Sequence, residues 1–68
     1  MKLRYFPDTD TLYINLKERP STESEEIAPE VIVDFDSDGD VVGITIDHAS
    51  KKLDSLSLET FFPTSANL

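Results

Sequence analysis

There is no cysteine in this 68-residue chain, no tryptophan, and only two glycines. Without thiols, neither a disulfide staple nor a thiolate metal site can supplement the core. A chain this short sits near the lower limit at which one core sustains itself. One domain over residues 1–60 with a tail over 61–68 is expected, stabilised by packing against a second copy or a partner. No apolar run approaches the length of a membrane span, and the first residues lack a signal-peptide profile, so a soluble cytoplasmic protein is expected. Bases are scarce too: six against fourteen acids leave a formal net charge of −8. They are scattered at Lys2, Arg4, Lys17, Arg19, Lys51 and Lys52, so no basic footprint for nucleic acid exists. With Gly39 and Gly43 the only glycines, there is no phosphate-cradling loop. An acidic surface favours solubility and faster encounter with a basic partner.

What is present is a repeat. Residues 5–14 (YFPDTDTLYI) align without gaps on residues 35–44 (FDSDGDVVGI), matching Tyr5 to Phe35, Asp8 to Asp38, Asp10 to Asp40, Leu12 to Val42 and Ile14 to Ile44. Each copy reads as strand, Asp-rich turn, strand. Residues 2–6 and 11–16 alternate apolar and polar, as do 31–35 and 42–46, the period of half-buried strands. Pro7-Asp8-Thr9-Asp10 is a good turn, and Asp38-Gly39 supplies the positive-φ residue that the second reversal needs. Gly43 inside a strand predicts a close backbone approach or a bulge.

Residues 17–30 lack periodicity and are rich in Ser, Pro and Glu. They read as a solvated connection, with Ser24–Ala28 the candidate for a short extra edge strand. From Ala49 the spacing of Ala49, Leu53 and Leu56 predicts one amphipathic helix over about residues 49–59, capped by Asp47 or Ser50. The fold class expected is therefore α+β: a small antiparallel sheet of two β-hairpins with four main strands and a short C-terminal helix. The adjacent Phe61 and Phe62 are the oddest apolar feature and the candidate partner-binding residues.

Asp34-Phe35-Asp36-Ser37-Asp38-Gly39-Asp40 matches the opening of a calcium loop, but its twelfth position is Thr45, where a bidentate Glu is needed. A hairpin turn accounts for the same residues, and at most a weak divalent-cation site at Asp34, Asp36 and Asp38 is left. His48 beside Asp47 suggests a general base, yet no nucleophile or second imidazole accompanies it, and a cap or surface residue is the simpler reading. Zinc has no convincing ligand set. Tyr5 and Tyr13 read as an aromatic pair across the first hairpin. No catalytic residue, metal or cofactor is expected, and the chain does not read as an enzyme.

Tyr5-x-Pro7, Asp10-x-Leu12-Tyr13-Ile14, residues 31–36 (VIVDFD) with Asp38-Gly39, Val42-Gly43-Ile44-x-Ile46 and residues 49–52 (ASKK) together resemble the DUF2283 family, small bacterial and archaeal proteins of unknown function. The resemblance covers about residues 1–53. It implies a compact antiparallel sheet with a C-terminal helix and, because members are often encoded beside small putative toxins, an antitoxin-like role for some of them. It carries over no catalytic residue. The chain departs from the family pattern at Phe6, Thr45 and His48, where Asp, Glu and an acid are usual.

The leading expectation is thus a small acidic protein-binding module, antitoxin-like, that neutralises a small basic partner, with Phe61 and Phe62 as apolar anchors. A self-associating homodimer whose tail and helix close its own core is the alternative.

Overall fold

The computed structural model describes residues 1–63. Five strands form one antiparallel sheet: β1 (Lys2–Phe6), β2 (Thr11–Asn15), β3 (Glu23–Ala28), β4 (Val31–Phe35) and β5 (Val41–Asp47), in the order β1-β2-β5-β4-β3. A single helical turn, α1 (Ala49–Lys52), follows. No helix among the described residues is long and apolar enough to cross a membrane.

The repeat explains the topology. β1–β2 and β4–β5 are the two repeated hairpins, and they meet along β2 and β5. In that register Ile14 lies opposite Ile44, its own repeat equivalent. The hairpins are therefore arranged about an approximate two-fold axis through that pair. Successive side chains alternate between faces, so Leu3, Tyr5, Leu12, Ile14, Ile44, Ile46, Val31, Val33 and Phe35 share one apolar face. The opposite face carries Lys2, Arg4, Thr11, Tyr13, Thr45 and Asp34. Tyr5 pairs with Leu12 and Tyr13 with Arg4, so the two tyrosines lie on opposite faces and the aromatic pair read from the sequence does not form.

Two register shifts bend the sheet. Val42 is the extra residue of β5 against β4, and its carbonyl accepts the N–H groups of both Leu16 and Lys17. Ile27 is the extra residue of β3. At Gly43 the close approach read from the sequence is present: a methyl group there would overlap the Tyr13 phenol. The core is thin, since Val33, Val42 and Ala49 are the apolar residues fully buried among those described.

The candidate edge strand is present, and the helix expectation is corrected. The 17–30 connection contains a six-residue strand, one residue longer than the edge-strand candidate. Glu23–Ala28 shows no alternation because both its faces are exposed. It is a strand because β4 has backbone groups that need a partner, reinforced by the Ser24 hydroxyl donating to Asp34. The helix stops at Lys52 rather than near 59, with Leu53 already extended at φ −103°, ψ 151°. Residues 54–58 (DSLSL) compete poorly for helix, and the Ser55 hydroxyl accepts the Ser57 N–H instead. Leu53, Leu56 and Leu58 line one groove with Leu3, Tyr5 and Leu12, so the apolar spacing that predicts a helix serves an irregular, bent segment.

Candidate functional site

At one end of the sheet the second repeat's turn is built around Asp36. Its buried carboxylate, 6 % exposed, accepts the N–H groups of Asp38 (2.9 Å) and Asp40 (3.0 Å) and the Arg19 guanidinium (3.0 Å). Burial alone pushes its pKa up, but those two N–H groups, then Arg19 and Lys17, outweigh it and hold the carboxyl below its ordinary value. Gly39, at φ 84°, donates its N–H to the Asp36 carbonyl. Arg19 also reaches Asp38, and Lys17 reaches Asp40. Each carboxylate of the calcium-like stretch thus has a structural partner, and no group of three His, Cys, Asp or Glu side chains placed to hold a metal occurs among the described residues.

At the opposite end, three non-glycine residues adopt left-handed backbone: Asp10 (φ 54°), Glu30 (φ 66°) and His48 (φ 54°). Asp10 is the hub. Its carboxylate accepts the Tyr5 hydroxyl (2.6 Å), the Ser50 hydroxyl (2.6 Å) and the Ser50 N–H (3.0 Å), while its carbonyl accepts the Ala49 N–H (2.8 Å). The Ser50 hydroxyl, then that of Tyr5, lowers the Asp10 pKa, and the bond to Asp10 raises that of Tyr5. Both shifts move the pKa away from neutral pH, so Asp10 stays ionised and Tyr5 stays a neutral phenol there. The α1 cap read from the sequence is corrected here. His48 occupies the N-cap position without a side-chain capping bond, and Asp10 from the distant turn satisfies the first-turn donors. Asp47 accepts the Thr11 hydroxyl (2.9 Å) and His48 meets Glu30 (2.7 Å), so Asp47 and His48 face separate partners. This end is a clasp that ties β1, β2 and α1 together.

The remaining candidate is a surface. Leu3, Tyr5, Leu12, Leu53, Leu56 and Leu58 line an open apolar groove of about 280 Å³ between the sheet and the segment after α1. Three residues past Leu58 come Phe61 and Phe62, 86 % and 59 % exposed. The rest of the tail, residues 64–68, lies outside the described residues. A second, shallower groove of about 470 Å³ runs along the β3 edge, lined by Glu23, Ser24, Glu25, Phe35 and Gly39. Sequence reasoning singled out the phenylalanines and missed both grooves. The alternation Leu56-Ser57-Leu58 was the available signal for the first.

The chain belongs to the family described as "Protein of unknown function (DUF2283)", whose model matches residues 2–50. No curated protein and no solved structure matches it. The matched span takes in all five strands and the Asp10–Ser50 clasp. The leucines after α1 and both exposed phenylalanines fall beyond it.

Proposed function

We propose that this DUF2283 protein is a non-enzymatic, acidic protein-binding module that neutralises a small basic partner in the manner of an antitoxin. The observation that carries this reading is the apolar groove lined by Leu53, Leu56 and Leu58, with the exposed Phe61 and Phe62 following shortly after it in the chain, on a molecule of net charge −8. Fourteen acids steer a basic partner into encounter at low salt. Once docked, large apolar side chains hold it, since a few buried aromatic anchors carry most of the binding energy at such interfaces. Asp10, Asp36, Asp38 and Asp40 are occupied as turn and clasp elements, which supports binding over catalysis.

Co-expression with the product of the adjacent gene, followed by co-purification and light scattering, tests the reading. A defined complex with a small basic protein is expected, weakened about tenfold or more by Phe61→Ala with Phe62→Ala and weakened further by salt. A protein that scatters as a homodimer and ignores its neighbour sinks it. The alternative reading, a self-contained homodimer, is favoured by the thinness of the core, with only Val33, Val42 and Ala49 as buried apolar residues among those described.

A further inference from the structure

The sheet ends in two open edges, because β1 and β3 each have a strand on one side only among the described residues. An open edge presents a row of unpaired N–H and C=O groups, a template for another extended chain. The two edges differ in charge. β1 carries Lys2 and Arg4, with Lys2 bound to Glu18 at 2.7 Å. β3 carries Glu23, Glu25 and Glu26 in four consecutive residues.

We propose that the outer edge of β3 takes an extended, basic segment of the partner protein as an added strand, a mode that rests on the neutralising role above and specifies how the partner is held. Glu23 and Glu25 pair with Phe35 and Val33 and so lie on the apolar face, while Glu26 pairs with Ile32 on the other. A strand laid beside β3 therefore meets carboxylates on both of its faces. On the apolar side it also meets the groove over Phe35, between Glu23 and Glu25, which has room for the aliphatic stem of a lysine or arginine with its charged head at the carboxylates. The bulge at Ile27 interrupts the register after Glu26 and leaves an apolar side chain 60 % exposed beside the added strand's end. The same glutamates repel the β3 edge of a second copy, and Lys2 and Arg4 turn a basic segment away from β1. Charge thus selects the edge, and backbone pairing supplies sequence-tolerant affinity.

Amide hydrogen exchange on the full chain, with a blocked six-residue peptide alternating Lys and Val as probe, reads the contact directly. At saturation the peptide is expected to slow exchange within residues 23–28 by about tenfold or more, while a Glu/Val peptide does not. Glu23→Lys, Glu25→Lys and Glu26→Lys combined, all at exposed positions, reverse that preference. Equal protection by both peptides, protection over Lys2–Phe6 or residues 53–58 instead, or none at all overturns the proposal. So does growth in mass of the protein alone with concentration, the sign that a second copy's β1 fills the edge. The complex with the adjacent gene product separates the two readings. A bound neighbour that leaves residues 23–28 unprotected ends the edge mode and keeps neutralisation. An edge that the Lys/Val peptide protects, in a protein that binds no neighbour, ends neutralisation and keeps the edge mode.

Discussion

The two repeated turns begin from the same pattern and are held together in different ways. In the second, Asp36 folds its carboxylate back onto the N–H groups of Asp38 and Asp40, and the turn closes on itself. The equivalent position in the first turn is Phe6, which is exposed and has no acceptor to offer. Only the weaker backbone bond is shared, from Thr9 N–H to the Phe6 carbonyl at 3.3 Å and from Gly39 N–H to the Asp36 carbonyl at 3.0 Å. Lacking an acceptor at that position, the first turn is tied through Asp10, which takes left-handed backbone and binds Tyr5 of its own hairpin and Ser50 of α1. A self-sufficient turn serves local structure. The turn that lacks its own acceptor becomes the joint between hairpin and helix.

Removing the central acceptor of the second turn tests that contrast most strongly. Asp36→Ala leaves two backbone donors unsatisfied and removes the carboxylate that holds Arg19. The thermal midpoint is expected to fall by roughly 10 °C or more in a domain of this size. Asp36→Asn keeps an acceptor and loses less. A midpoint for Asp36→Ala within a few degrees of the parent would show that the turn does not depend on this group.

The next largest effect concerns the two-fold arrangement itself. Tyr13 and Gly43 are repeat equivalents, and the β2–β5 register makes them diagonal neighbours on one face near the axis. Two large side chains cannot both occupy that place, so one repeat supplies the ring and the other supplies the space for it. Gly43→Ala drives a methyl into the Tyr13 phenol and is expected to cost about 1–3 kcal/mol. The same change in a Tyr13→Ala background should cost much less. Denaturant midpoints of the four proteins close a double-mutant cycle, and additivity would contradict the packing argument.

How much of this was legible follows from where each residue's partner lies. The strands of the two hairpins alternate because one face packs, and the repeat placed Ile14 and Ile44 in equivalent roles before their pairing was visible. β3 was harder to read because an edge exposed on both faces needs no alternation. The Ala49, Leu53, Leu56 spacing fits a helix, the Leu56-Ser57-Leu58 alternation does not, and the propensities of residues 54–58 decided between them. The clasp had no sequence signal at all, since Asp10 and Ser50 stand 40 positions apart and meet only through the stacking order of the strands.

That joint gives a smaller effect than the core pair. Asp10→Ala removes three bonds to the carboxylate and places alanine in left-handed backbone. A fall in the thermal midpoint of roughly 5 °C is expected, with faster exchange at the Ser50 amide while the amides around Asp36 are unaffected. Loss of protection at both ends together would mean that the turns are not independent.

The smallest difference lies in acid. Both Asp36 and Asp10 have folded-state pKa values below the ordinary carboxylate value, so folding holds each of them ionised. A depressed carboxylate contributes stability that is fully present above the unfolded value, about 3.9 for Asp, and is lost as pH falls through the folded one. The thermal midpoint should therefore be flat above about pH 5 as far as these groups are concerned and decline below about pH 4. Asp10→Asn and Asp36→Asn each remove one contribution, so each variant's midpoint converges on the parent's as pH falls. Asp10 is the more exposed of the two, so solvent screens its interactions more and its variant should converge over the smaller span. A parent midpoint that rises below pH 4 would reverse the sign and show that burial, not the hydrogen bonds, governs these carboxyls.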